Sequence, residues 1–376
     1  SDVCSSDLTG VGKTYAYLAP AALHALETGT PVVVSTHTIS LQEQILDKDV
    51  PALARALGVP FTAVVAKGRS NYVCLRRLQV LGSIDREQVP DAGLLRDLKR
   101  IWDWVGTTRT GCLSDLDFEP PRMLWDLVCC ERGNCLGTRC AHAHQCFLTQ
   151  ARRRLDKAQV VVTNHAMFFS DLAMKLEADG EAQGVLPAYG AVVLDEAHTI
   201  EDTAADHLGV HVGSYPLRRL LNRLYHRERD RERGLLVDGP WGEARNAVMQ
   251  AAETSTRFFR RIVAWLESQN QDPLRYTTPN HIPNEIGPLL DAAVRLAAEV
   301  AASLAGDPDS ESRAQEISAV VAQLRSHADG VEQFLSMGRP DSVYWLERQG
   351  RERQDLLFNI APIAVGPRLR GALFRP

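Results

Sequence analysis

A run of four apolar residues, Ala191-Val-Val-Leu194, ends in two adjacent carboxylates, Asp195 and Glu196, and His198 follows two residues on. A short apolar run that starts at Gly190 reads as a strand buried on both faces, as in parallel sheets. Parallel-sheet nucleotide-binding cores present a metal-holding carboxylate to a phosphate in this way. By chance alone the pattern is common. It constrains the fold only if the chain also supplies a phosphate cradle.

Thr9-Gly10-Val11-Gly12-Lys13-Thr14 has the chemistry of such a cradle. Glycines let backbone N–H groups close around the β-phosphate, Lys13 reaches the β/γ oxygens and the Thr14 hydroxyl can hold Mg²⁺. A helix starting behind it favours anions at its N-terminus. The competing reading is a chance glycine-rich helix start. The full consensus needs a further glycine at position 7, where Asp7 stands and would repel a phosphate. The apolar strand expected before a phosphate loop is also not legible in residues 1–8. That octapeptide reads as the translation of a sequencing-adapter oligonucleotide fused to an incomplete gene, and Cys4 then carries no function. Resequencing the locus tests this, and finding the octapeptide encoded there rejects it.

The cradle is followed by a helix from Lys13 to Thr28 that ends at Gly29, then a strand at Val32–Ser35, a helix running to about Leu57 and a strand at 61–66. This alternation predicts a parallel α/β sheet. At Lys67 it stops, and it resumes at 159–165 before the carboxylate-bearing run. Residues 67–157 are thus expected to be an insertion. After His198 the periodicity is helical: Leu217, Leu220, Leu221 and Leu224 share one face, Ile262, Trp265 and Leu266 another, and Leu289, Leu290, Ala293 and Leu296 a third. Prolines 273, 279, 283 and 288 divide this region into helices. A second, all-helical insertion is expected over 206–350, and the apolar stretch 356–365 predicts a return to the sheet.

Seven of the eight cysteines lie between Cys74 and Cys146. No basic-then-apolar leader and no membrane-length apolar stretch is legible, which predicts a cytoplasmic protein. Clustered cysteines in such a chain favour a metal or cluster site over disulfides. Cys74 is followed after 60 residues by Cys135-x4-Cys140-x5-Cys146, with no C-x2-C pair. Zinc sites favour closer pairs, whereas an iron–sulfur cube accepts wide, irregular spacing. His142 and His144 keep zinc open, and unligated buried thiols are the bland alternative. Cys112 and Cys129 are expected to pack in a core, with Cys130 a reserve ligand. The net charge of −5, from 42 basic and 47 acidic residues, excludes a wholly basic binder but not a local basic groove. The arginines from Arg218 to Arg233 alternate with acids and predict a solvated helix face.

Taken in order, these motifs resemble the XPD/DinG family of superfamily 2 iron–sulfur DNA helicases, nearest to DinG. The resemblance is carried by Thr9–Thr14, Ser35-Thr-His-Thr-Ile-Ser-Leu-Gln-Glu-Gln44, Lys67-Gly-Arg-Ser-Asn-Tyr-Val-Cys74, Cys135…Cys140…Cys146, Val162-Thr-Asn-His165 and Asp195-Glu-Ala-His198. It implies a RecA-like P-loop domain (1–66, 158–205 and 351–376) with an inserted iron–sulfur domain (67–157) and an inserted helical arch (206–350). It implies ATP-driven 5′→3′ translocation on single-stranded DNA, acting at forks, as a monomer. A 4Fe–4S cluster on Cys74, Cys135, Cys140 and Cys146 is implied, acting as a wedge where the duplex parts. Thr9, Gly10, Val11, Gly12, Lys13 and Thr14 would bind ATP, Thr14 and Asp195 would hold Mg²⁺, Glu196 would polarise water and His198 would couple nucleotide state to the strand. Thr36, Thr38, Gln42 and Gln44 would touch the DNA backbone. Tyr72, Trp102 and Trp104 could stack on bases, with core packing the expected role for both tryptophans.

The family continues into a second RecA-like domain that is not legible here, so this sequence is expected to be the first motor domain with its two insertions. Two other readings stay open. One is an ATP- and single-stranded-DNA-binding module without turnover. The other is a zinc-containing P-loop ATPase acting on RNA or protein.

Overall fold

The computed structural model describes residues 12–82, 92–177, 184–229, 231–307, 310–350 and 355–373. Two sheets organise it. The first is parallel and carries the carboxylates; the second is antiparallel and sits under the long helices.

Helix α1 (Lys13–Thr28) begins just after Gly12 and ends at Gly29, both in the left-handed conformation that costs glycine little. Strand β1 (Val32–Thr36) is followed by α2 (Ile39–Gln44), a wider turn at Ile45–Asp49, α3 (Val50–Leu57) and β2 (Ala63–Val65). After four helices, α4 (Leu75–Gly82), α5 (Ala92–Val105), α6 (Arg122–Val128) and α7 (Phe147–Leu155), the sheet resumes with β3 (Val160–Asn164). Helix α8 (His165–Glu177) leads to β4 (Ala191–Leu194). The strand order is β2-β3-β1-β4, all parallel, with Ser35 level with both Thr163 and Leu194.

The Val-rich strands explain the layering. Side chains alternate across a strand, so Val34, Val160 and Val162 face Leu18 and Ala22 of α1 and Leu53 of α3. Val33 and Val161 point the other way, into Phe168, Phe169 and Leu172 of α8 and Ala204 and Leu208 of α9 (Ile200–Leu208). Fully burying each of those two phenylalanines contributes roughly 1.5–3 kcal/mol. Both faces of β1 are therefore covered, and all its residues are buried.

The cysteine-rich segment has a small core of its own. Tyr72 bridges Cys112 and Val73 bridges Cys129, which draws three distant stretches together around Leu78, Ile101, Leu124 and Val128. Gly111, at φ +63°, lets the backbone pass under Phe147; a Cβ there would lie 2.2 Å from the ring.

The remaining elements are β5 (Val210–Gly213), α10 (Ser214–Leu224), β6 (His226–Glu228), β7 (Arg231–Arg233), α11 (Gly242–Gln269), β8 (Leu274–Arg275), α12 (Gly287–Leu304), α13 (Glu311–Leu335), β9 (Ser342–Gln349), β10 (Asp355–Pro362) and α14 (Gly366–Leu373). The apolar faces expected on α10, α11 and α12 meet in the largest core, where Phe334 and Phe358 stack at 4.5 Å.

Three expectations are corrected. The region 206–350 is not all-helical: β5, β8 and β9 lie within it and form the sheet β5-β10-β9-β8. The stretch 356–365 does not rejoin the parallel sheet. β10 pairs antiparallel with β9 and β5, because Leu356, Phe358 and Ile360 alternate into the second core. Only Val365 and α14, through Leu369, Ala372 and Leu373, return to the first. The arginine run 218–233 is not one solvated helix either. It splits into α10 and the β6–β7 hairpin, and Arg223 is largely buried.

Candidate nucleotide site

Parallel strands send all their C-terminal ends to one edge, and that edge collects the chemistry. Thr36 at the end of β1 is level with Asn164 at the end of β3, and Asp195 follows β4 beside them. Helix α1 begins at the same edge. Lys13 donates to Glu196 at 3.2 Å, and Tyr17, one turn on, donates to Asp195 at 3.4 Å. The Tyr17 hydroxyl is pushed well above its ordinary pKa, first by burial and then by the Asp195 charge; Thr14 lies within hydrogen-bond reach of it. Glu196 sits at φ 52°, a left-handed turn that swings its carboxylate back towards Lys13. His198 Nδ1 lies 3.5 Å from the same carboxylate, and its side chain is exposed.

His165 ties the three strand ends together. One ring nitrogen meets the Ser35 hydroxyl at 2.7 Å and the other meets the Asp195 carbonyl at 2.8 Å. The ring is buried, and burial lowers its pKa from the ordinary histidine value. A neutral ring can donate at one nitrogen and accept at the other, so it fits between a hydroxyl and a carbonyl. The sequence showed His165 only as part of Val162-Thr-Asn-His165 and Ser35 only as the first residue of the 35–44 motif; Tyr17 carried no signal of a role. Their use arises from the register that sets β1, β3 and β4 side by side.

Of the cradle, Gly12, Lys13 and Thr14 are in place, whereas Thr9, Gly10 and Val11 lie outside the described residues, as does Cys4. Thr36 and Gln42 are buried, with the Thr36 hydroxyl bonded to the Thr38 carbonyl at 3.3 Å. Thr38 and Gln44 are exposed, and Thr38 caps α2 by accepting from the Leu41 N–H. Tyr72 is buried, Trp104 packs on the small core and Trp102 is 48% exposed.

The thiols share one neighbourhood. Cys130 donates to the Val73 carbonyl at 3.7 Å and neighbours Cys74; that proximity draws the Cys74 thiol down and pushes the Cys130 thiol up. Cys140 is close enough to feel the charges of Cys74 and Cys135, and Cys130 that of Cys146. Cys112 and Cys129 are core residues, as expected, and Cys129 is pushed up to about 11, first by burial. Among the described residues, no three His, Cys, Asp or Glu side chains converge as ligands of a metal ion.

A buried ion network joins this segment to the long helices. Arg76 and Arg77 on α4 both reach Glu316 of α13, at 3.1 and 3.0 Å. Arg223 of α10 bridges Glu316 and Glu131, meeting the latter at 2.9 Å. Burial would raise the Glu131 pKa, but the hydrogen bond and charge of Arg223, with Arg77, hold it down at about 2.

No family model matches the chain. It is 33% identical over 224 residues to the ATP-dependent DNA helicase YoaA of Haemophilus influenzae, covering 58% of this chain and 34% of that protein. It is 38% identical over 210 residues to the ATP-dependent helicase DinG of Mycobacterium tuberculosis, covering 52% and 31%. A solved XPD helicase aligns at 11% identity and a TM-score of 0.37, over 96% of this chain and 56% of that one. The chain spans about a third of the length of these two relatives. Over the matched stretches, the chain is similar to ATP-dependent helicases named YoaA and DinG.

Proposed function

We propose that the chain is the nucleotide-binding first motor domain of an ATP-dependent 5′→3′ DNA helicase. The observation that carries this is the Lys13–Glu196 pair, held at the C-terminal edge of the parallel sheet beside Asp195. Without nucleotide, Lys13 is neutralised by Glu196. An incoming triphosphate offers it several oxygens, and exchanging partners frees the Glu196 carboxylate to orient an attacking water. Thr14 and Asp195 would hold Mg²⁺, which supplies charge neutralisation at the phosphates. His165 links the Asp195 backbone to Ser35 and so to the start of the 36–44 segment, over which single-stranded DNA would run. Cys74, Cys135, Cys140 and Cys146 would hold the 4Fe–4S group, which supplies a rigid centre to this segment; their shared neighbourhood supports that reading. Fork recognition, monomeric action and a cytoplasmic setting belong to the same proposal.

A second reading, binding without turnover, is favoured by the openness of the site. Among the described residues, the side chains of Glu196 and His198 are 34% and 74% exposed, so the site lies open to solvent. Titration with a fluorescent ATP analogue in Mg²⁺ tests the site. Lys13→Ala is expected to weaken binding at least tenfold, and unchanged binding would reject the assignment. DNA-stimulated hydrolysis by this chain would reject the second reading. Iron, sulfide and zinc analysis of the purified protein, with Cys135→Ser alongside, separates the cluster from the zinc alternative.

A further inference from the structure

A groove of about 860 Å³ opens between α10, α11 and the β9–β10 end of the second sheet, on elements that contribute nothing to the nucleotide site. Its chemistry is mixed in a specific way. Phe259, Val263 and Ala264 of α11 give it an apolar wall. Arg260 on α11 and Arg218 on α10 line it. Neither arginine is paired with a carboxylate among the described residues. The two nearby acids are engaged elsewhere: Glu267 with Arg348 at 2.7 Å, and Asp355 with the Ser214 hydroxyl and the Tyr215 N–H at 2.5 and 2.7 Å. Arg218 and Arg260 thus stand in the groove without a carboxylate partner, in a chain whose net charge is −5.

Two further features point to a ligand. Tyr215 presents a ring that is 49% exposed, with Arg218 over its face at 5.6 Å. Ser255, only 4% exposed, also lines the groove, and its hydroxyl has no hydrogen-bond partner. Leaving a buried hydroxyl unsatisfied is costly, so a site that keeps one usually offers it to something. Paired cations, an accessible aromatic face, an apolar wall and a waiting donor match the phosphate, base and sugar of a nucleotide unit.

We propose that this groove binds a nucleotide unit of single-stranded nucleic acid, with Arg218 and Arg260 on phosphates and Tyr215 stacked on a base. This deepens, and rests on, the reading of the chain as a DNA motor. It adds a second strand contact, remote from the 36–44 segment. The free nucleotide carries the same chemistry and is distinguished by experiment.

The test uses fluorescein-labelled oligo(dT) and dTMP with the whole chain, and compares wild type with Arg218→Ala/Arg260→Ala and with Tyr215→Ala. Circular dichroism checks the fold, and binding of the ATP analogue checks the separate site. The double variant is expected to bind the oligonucleotide about tenfold more weakly and to lose about 1.4 from its log–log salt slope, the value for two phosphates on a single strand. Tyr215→Ala is expected to lose about fivefold or more without a change in slope. If dTMP binding falls in the variants while oligonucleotide binding holds, the groove takes the free nucleotide and the strand contact is rejected. Unchanged binding of both probes overturns the groove altogether and leaves the ATP site standing. Failure of the wild type to bind the ATP analogue, with the oligonucleotide effects intact, would reject the motor reading and keep the groove.

Discussion

Lys13 and Glu196 neutralise each other across 183 residues of sequence. On the proposed reading, ATP would have to displace this carboxylate from the lysine before its phosphates could take the same place. Glu196→Gln removes the competing charge and also the group expected to orient water. It is therefore expected to bind the ATP analogue at least as tightly as wild type while supporting no hydrolysis in a full-length relative carrying the same change. Weaker binding would show that Glu196 helps to hold nucleotide rather than competing with it. Neither the left-handed turn at Glu196 nor the Tyr17 contact was legible in the sequence. Asp195-Glu-Ala-His198 named the carboxylates, but their distances to α1 depend on how a helix packs on a strand far away in sequence.

At the scale of elements, α4 is joined to α10 and α13 through charge, whereas α10 and α13 also share the largest apolar core. Glu316 is 7% exposed and receives Arg76, Arg77 and Arg223. Removing one member of such a network leaves buried charge uncompensated, which costs about 3–5 kcal/mol. Glu316→Ala is expected to destabilise the chain by that order in urea unfolding, and a loss under about 1 kcal/mol would show that water already screens the site. Arg76 and Arg77 follow Cys74, and Glu131 follows Cys130, so the same lock fixes the peptide around the thiols. Each charged residue here looked like surface in the sequence, because charge is normally solvated. Only its partners, brought from three separate stretches, make it interior.

Across the whole molecule, the two large cores share a weakness to mild acid. Burial lowers the pKa of His165 and His207 beside the first core and of His327 on α13. A histidine with a lowered folded pKa takes up its proton more readily when unfolded. Its contribution is fully present above the ordinary value of 6.5 and is lost as pH falls from there through the folded value. Glu131, held at about 2, still contributes in that window because it stays ionised in the fold. Stability is thus expected to decline as pH falls below about 6.5 by a histidine route, with the ion network intact. Denaturation at graded pH checks this, and His327→Leu should flatten the decline. A profile that is level down to the carboxylate range would reject it.

The sequence by itself determined the first sheet. The apolar runs at 32–34, 160–162 and 191–194 call for burial on both faces, and glycines at 12 and 29 mark where the first helix begins and ends. It also placed the carboxylates at the end of a strand and the lysine at the start of a helix. Tertiary structure alone decided the membership of β10. An apolar stretch of that length suits either sheet, and the neighbours Phe334, Phe258 and Phe259 draw Phe358 into the second core. It alone decided that Ser35, His165 and Asp195 join, and that Arg218, Tyr215 and Arg260 line one groove. Those relations depend on how helices and strands remote in sequence pack, and no local pattern of residues encodes such a distance.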